Sequence, residues 1–279
     1  LHASASLYAI IAVGLLASGE AGMADEGKVL VIGTASADVR GWPSMPSVQG
    51  SSVPGIIRSG FGGVARNVAE NLARLEVDTV LLTAVGDDAS GEQILSHAAA
   101  CHIDISHALI VDDARTGAYL ALMDQQGKLS NAVDDMEIMS ALTSAYFRAH
   151  ADLFGQARIA FVDANLSPDA IGTVVELCTR YGVPLCADPA SATLAQKLLP
   201  YLDQLYMVVP NHREAQVLCN DSIDPSDRDK AQGAASQLVR LGVENAIITL
   251  SEFGVVYADI ETVGHIPALK TAIVDQTGA

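Results

Sequence analysis

From Lys28 onward the chain alternates between short, continuous apolar runs and longer segments of helical period; the runs are KVLVIG, TVLLTAVG, ARIAFVDA, VPLCAD, LYMVVP and NAIITL. None of them alternates apolar with polar residues, as a strand with one face in water would. Such strands are buried on both faces, which happens where helices cover both sides of a parallel sheet. The expected fold is therefore α/β: a doubly wound, mostly parallel sheet with helices on both faces. In a chain of 279 residues, 50% of them apolar, there is material for a sizeable core.

Two stretches break the rhythm. Arg40 to Ser59 is rich in Pro, Gly and Ser, and Gly117 to Asp135 reads as two strands around a turn at Gln126-Gly127. Neither leads into a helix that could cover a parallel sheet. Segments of about 40–59 and 117–135 are therefore expected to form a small β lid projecting from one domain, residues 23–279. Residues 1–22 stand apart as an unassigned N-terminal extension. Their apolar run LYAIIAVGLLA is too short to span a bilayer and lacks the preceding Lys or Arg of a signal peptide. The first residue is not Met, and Met23 stands just ahead of the first strand.

Charge narrows the partners. Lys and Arg number 16 against 33 Asp and Glu, a formal net charge of −17 that repels nucleic acid phosphates and anionic lipid. Polymeric nucleic acid and membrane surfaces are disfavoured on that ground, whereas backbone N–H groups can still hold a small anion locally. Cys101, Cys178, Cys186 and Cys219 form no CxxC pair and lie in segments that read as helix or strand. They read as buried thiols of a reducing, cytoplasmic setting, and their spacing sets a zinc site aside.

Ligands of open α/β sheets bind beyond the carboxyl ends of the strands. There the sequence places GTASAD with Asp38, DAN with Asn165, ADPAS with Asp188, and PNHRE with Asn211 and Glu214. Each alone serves equally well as a turn or a helix N-cap; their recurrence at one end of successive strands points to a site. In SGFGGVARNVAENLARL, Gly60, Gly62 and Gly63 read as a turn opening directly into a helix with the apolar stripe Val64, Val68, Leu72 and Leu75. Arg66 and Asn67 fall in its first turn, and helix packing alone would explain the glycines equally well. No GK[ST] follows, as a Walker loop requires, and no GxGxxG follows KVLVIG, which disfavours an NAD-dependent oxidoreductase. The terminal IVDQTGA reads as a strand turning towards a helix whose free N–H groups hold an anion.

The run GGVARNVAENLARLEVDTVLLTAVGDDASG resembles the first signature of the PfkB (ribokinase-like) carbohydrate and nucleoside kinases, and DQTGA resembles the opening of the second. The resemblance spans Lys28 to Ala279, and GTASADVRGWPS, TGAYLALMD, DDMEIM, DANL and ADPAS are most similar to the pseudouridine kinases. It implies ATP- and Mg2+-dependent phosphorylation of the 5′-hydroxyl of a nucleoside, pseudouridine first. Other ribose or nucleoside kinases of the family, or a nucleoside-binding module without catalysis, are the alternatives. It further implies that Asp38, Gly62, Gly63 and Asn67 hold sugar hydroxyls, with Arg66 beside them and Asn165 at the sugar or base. The lid from Thr116 to Tyr119 would close over them. Asn211 and Glu214 would organise magnesium, mainly through water, while Thr249 and Gly254 reach the ATP. Gly278 and Ala279 would begin the anion hole. A monovalent cation and a homodimer through the lid are further options that it leaves open. The family's second signature continues into Gly-Asp, whose Asp is the base, so a chain ending at Ala279 is expected to be incomplete and without turnover. Glu76 departs from the glycine that usually ends the first-signature helix. Either the cap is built differently or a residue with a Cβ turns left-handed there, at ~1 kcal/mol.

Overall fold

The computed structural model describes residues 27–47 and 50–268. The extension 1–22, Met23 and the closing IVDQTGA lie outside them. The chain enters through β1 (Lys28–Ile32), makes two long strands, β2 (Ser36–Pro43) and β3 (Gly55–Gly62), and returns by helix α1 (Val64–Arg74) to β4 (Thr79–Leu82). β5 (Ala84–Gly86), α2 (Ala89–Ala100), β6 (Leu109–Val111), β7 (Ala118–Met123) and β8 (Leu129–Asp135) follow. Next come α3 (Ser144–Ala149), α4 (Ala151–Gln156), β9 (Ala157–Asp163), α5 (Pro168–Tyr181), β10 (Leu185–Asp188), α6 (Ala192–Ala195) and β11 (Met207–Val208). The described chain closes with α7 (His212–Cys219), α8 (Arg228–Arg240), β12 (Asn245–Thr249), β13 (Val255–Ala258) and β14 (Val263–Ile266).

The main sheet has eight strands in the order β14-β13-β12-β11-β10-β9-β1-β4. From β4 to β12 every pair is parallel. The period of two along each strand feeds two cores. Leu30 and Ile32 face Phe147, Phe154, Ile171 and Val174, whereas Val29 and Val31 face Val64, Val68 and Leu72 of α1. Helices thus cover both faces, as the continuous apolar runs require. Local signals set the helix ends: Ser167 caps α5 ahead of Pro168, and Gly182, at φ 67°, closes it.

Three features differ from the sequence expectation. TVLLTAVG is cut at Thr83, and β5 leaves the main sheet to pair in parallel with β6. LYMVVP contributes only Met207–Val208. Beyond NAIITL the sheet continues through antiparallel β13 and β14, because Ser251 (φ 55°) and Gly254 (φ 94°) reverse the chain within a few residues. Glu76 takes the left-handed option: its φ is 61°, and Val77 N–H closes onto Leu72 O at 3.0 Å. Leu75, read as part of the apolar stripe, is exposed there.

A second sheet, β3-β2-β7-β8, stands apart from the main one. β2 pairs antiparallel with β3 from Ser36↔Gly62 to Pro43↔Gly55, and parallel with β7. Paired strand therefore begins before Arg40 and runs past Ser59, so Asp38, Gly60 and Gly62 lie within strands rather than in loops or turns. Asp124 Oδ1 accepts from Gln126 and Lys128 N–H, both at 2.8 Å, in the tight reversal between β7 and β8.

Candidate functional site

Because β1, β9, β10, β11 and β12 run in parallel, their carboxyl ends share one edge of the main sheet, and the second sheet springs from that edge directly after β1. At its base sits Asp38, 5% exposed. Ser36 Oγ donates to its Oδ1 at 3.0 Å and Arg40 Nη2 to its Oδ2 at 3.1 Å. Each oxygen keeps acceptor capacity for a further donor. A Cβ on Gly62, across the strand pair, would come within 2.0 Å of Asp38 Oδ1, so the carboxylate occupies the room that glycine leaves. Gly63 is the turn into α1. Its φ is 92°, and a Cβ there would meet Thr34 O at 2.4 Å.

The organiser of this corner is a residue that sequence reasoning passed over, Asp163, fully buried at the end of β9. Its Oδ2 accepts from Thr34 N–H at 2.7 Å and Thr34 hydroxyl at 2.8 Å. Its Oδ1 accepts from the Asn165 backbone and side-chain N–H groups, both at 3.0 Å. Thr34 Oγ1 in turn accepts from Val64 N–H, a free donor at the start of α1, at 3.0 Å. One carboxylate thus fixes the loop after β1, the mouth of α1 and the orientation of Asn165. A hydrophobic strand ending in Asp is the signal that the sequence carries, two residues ahead of Asn165.

Arg66 and Thr116 are largely taken up by the fold. Arg66 Nε donates to Gly62 O at 3.1 Å, Nη1 to Glu70 at 2.6 Å, and Nη2 to Phe61 O at 3.1 Å and to Asn67 Oδ1. It staples α1 to β3 and holds Asn67, whose amide nitrogen remains for a ligand. Thr116 donates to Asp88 at 2.7 Å and accepts from Gly86 N–H at 3.0 Å, tying the foot of β7 to the start of α2. Glu70, His97 and Cys101 offer ligand atoms within 4.8 Å of one another. Both Glu70 oxygens are already held, by Arg66 and Arg74, each at 2.6 Å.

Further along the edge, Asn211 caps α7 in a reciprocal box. Its Oδ1 accepts from Glu214 N–H at 3.1 Å, and Glu214 accepts from Asn211 N–H at 2.7 Å and from its side-chain amide at 2.6 Å. Glu214 is nevertheless buried, which pushes its carboxyl up to about 7 against those hydrogen bonds. Asp188, at the end of β10, is raised well above the usual range by burial and then by the neighbouring Glu214 charge. Two buried carboxyls side by side resist ionising together; a divalent cation would restore both charges. Thr249 is drawn beside Asn211 by a parallel bridge, its N–H donating to Pro210 O at 3.0 Å. Gly254 lies at the following reversal, where a Cβ would meet Ile266 O at 2.1 Å. The structure thus assembles two groups, Asp38 with Gly62, Gly63, Asn165 and Asp163, and Asp188 with Asn211, Glu214 and Thr249. Gly278 and Ala279 lie outside the described residues.

The model of the pfkB family carbohydrate kinases matches residues 26–279. A pseudouridine kinase of Escherichia coli (strain K12) is 31% identical over 92% of this chain and 81% of its own length. A guanosine-inosine kinase of Exiguobacterium acetylicum is 27% identical over 90% of this chain and 83% of its own. The structure of Arabidopsis thaliana ribokinase complexed with ribose and ATP superposes with a TM-score of 0.74 over 89% of this chain and 80% of that one. At 18% identity that likeness carries the fold.

Proposed function

The chain belongs to the pfkB family of carbohydrate kinases, and on that premise we propose that it transfers the γ-phosphoryl group of ATP to the 5′-hydroxyl of a nucleoside, pseudouridine before others. The observation that carries the reading is Asp38, a buried carboxylate with an acceptor site left on each oxygen, set where Gly62 has no side chain. Adjacent hydroxyls of a ribose supply the two donors that such a group lacks, and a sugar that cannot supply them leaves it mispaired. Resemblance to the E. coli pseudouridine kinase favours that nucleoside. The guanosine-inosine kinase relative keeps a purine nucleoside as the second reading.

In this account Asp38, Gly62, Gly63, Asn67 and Asn165 bind the nucleoside. Asp163, Thr34 and Arg66 hold those groups in place, and Thr116 fixes the foot of the sheet that closes over them. The second group faces the phosphates. Asp188 and Glu214, buried and hard to ionise together, would with Asn211 hold a hydrated Mg2+ mainly through water, and that ion would supply charge neutralisation to the phosphates of ATP. Thr249 and Gly254 are placed on the nucleotide side by the family resemblance, which also implies that Gly278 and Ala279 would begin the anion hole. By resemblance, the Asp that follows in the family's second signature takes the proton from the 5′-hydroxyl.

Among the described residues no helix is long and apolar enough to cross a membrane. Cys178, Cys186 and Cys219 are buried free thiols and Cys101 is half-buried, which suits the reducing, ATP-rich cytoplasm we propose as the setting. The test is binding. Pseudouridine at a hundred times its Kd should stabilise the protein by about 2.7 kcal/mol in thermal unfolding, and Asp38→Ala should abolish that shift at the same concentration. A shift given by ribose or inosine but not by pseudouridine would reassign the substrate.

A further inference from the structure

β2 alternates, and its two faces differ. Cross-strand partners share a face, so Asp38 and Arg40 lie together with Gly60, Arg58, Tyr119 and Ala121. Arg58 is drawn away from Arg40 to lie over the Trp42 ring, 5.4 Å from its centroid. Arg40 instead anchors one amino group on Asp38 at 3.1 Å, with 19% of its side chain exposed. Its Nε is buried and has no hydrogen-bond partner. Beside this pair, a Cβ built on Gly60 would meet nothing within 4 Å. The protein therefore holds an unmet guanidinium donor next to its proposed sugar carboxylate, with open space over the neighbouring Gly60.

We propose that Arg40 is the residue that reads the nucleobase, donating to a carbonyl oxygen of a pyrimidinedione-type base while it stays anchored on Asp38; this rests on the nucleoside-kinase reading above. The Arg40 guanidinium lies against the Asp38 carboxylate at 3.1 Å, so a ribose held by Asp38 would bring the ring at its anomeric carbon towards the same side chain. A buried guanidinium N–H without a partner is costly, and a ligand oxygen relieves that cost where water does not enter. Free ribose has no such oxygen beyond its anomeric hydroxyl. Arg40 would thus separate nucleosides from the bare sugar, a distinction Asp38 cannot make.

The experiment measures calorimetric affinities of pseudouridine and ribose for the unaltered protein, Arg40→Lys and Arg40→Met, with unfolding temperatures recorded for each. Arg40→Lys keeps a positive charge beside Asp38 but removes Nε and the planar fork. We expect Arg40→Lys to lose about 10- to 100-fold in pseudouridine affinity with ribose affinity unchanged within about threefold, and Arg40→Met, which also strips Asp38 of its cation, to weaken both ligands but pseudouridine by at least about 10-fold more than ribose. Equal losses for both ligands would mean that Arg40 only positions Asp38, and would overturn the inference, as would no loss for either. If one variant fails to fold, the other decides alone. An unaltered protein that binds ribose no worse than pseudouridine would sink the nucleoside reading itself, a result visible before any variant is made.

Discussion

Gly62 and Asp38 make one functional unit although they sit on different strands, because the carboxylate fills the space where a Cβ would be, 2.0 Å from Oδ1. Gly62→Ala must push that carboxylate aside. In the full-length protein it should therefore lower kcat/KM for the nucleoside about as much as Asp38→Ala, ~100-fold or about 3 kcal/mol, with the KM for ATP unmoved. Steady-state kinetics with each substrate varied in turn check this, and a loss confined to ATP would put Asp38 in the wrong half of the site. Asp38 itself was legible as a polar residue soon after an apolar strand. Its strand was not, since small residues such as Ser36 and Ala37 read as loop until their partners, Gly62 and Phe61, are known. Asp163 was hidden for the same reason at longer range: its bond to Thr34 joins residues 129 apart.

At the scale of one helix, α7 shows how a motif can serve packing and chemistry together. NHRE was readable both as a cap and as a metal-organising pair, and the capping box is present. Glu214→Gln keeps an oxygen that can accept from Asn211 N–H, so melting should change little while the Mg2+ concentration for half-maximal rate rises. A lower melting point with unchanged Mg2+ dependence would leave capping as its whole role. Asn211→Ala should cost about 1 kcal/mol of stability through the lost cap, read by denaturant unfolding. Burial of Asp188 and Glu214 adds a pH signature. Both folded-state values lie above those of the unfolded chain, so each group's contribution to stability is present below about pH 4 and lost as the pH rises through its folded value, about 7 for Glu214. Without divalent cations, the stability advantage of Asp188→Asn over the unaltered protein should grow as the pH rises above about 4, and Mg2+ at pH 8 should shrink it. An advantage independent of pH would contradict the assignment. No spacing rule exposes such a pair, because the two carboxyls meet only when β10 and β11 lie side by side.

For the molecule as a whole, the continuous apolar runs were enough to read the parallel sheet and its two helical layers, since each strand's burial is a local property. Its antiparallel edge was missed because two left-handed residues, Ser251 and Gly254, turn the chain within a segment that carries no hairpin dipeptide. The second sheet's outer face bears on the homodimer through the lid that the family resemblance leaves open. On the side opposite Asp38, Ile57 (77% exposed), Leu120 (46%), Leu122 (50%) and Val133 (67%) share one surface. Such a homodimer would cover it. Leu122→Glu should then shift a dimer to monomer in sedimentation velocity, whereas an unaltered protein that is monomeric at tens of micromolar would remove the idea. If these two sheets together select and phosphorylate a nucleoside, direct competition between substrates reveals it. The full-length protein is given ATP, Mg2+ and an equimolar mixture of pseudouridine, inosine and ribose, and the phosphorylated products are resolved by mass spectrometry. Pseudouridine 5′-phosphate should dominate; a product mixture led by ribose 5-phosphate, or no phosphorylated product at all, would contradict it.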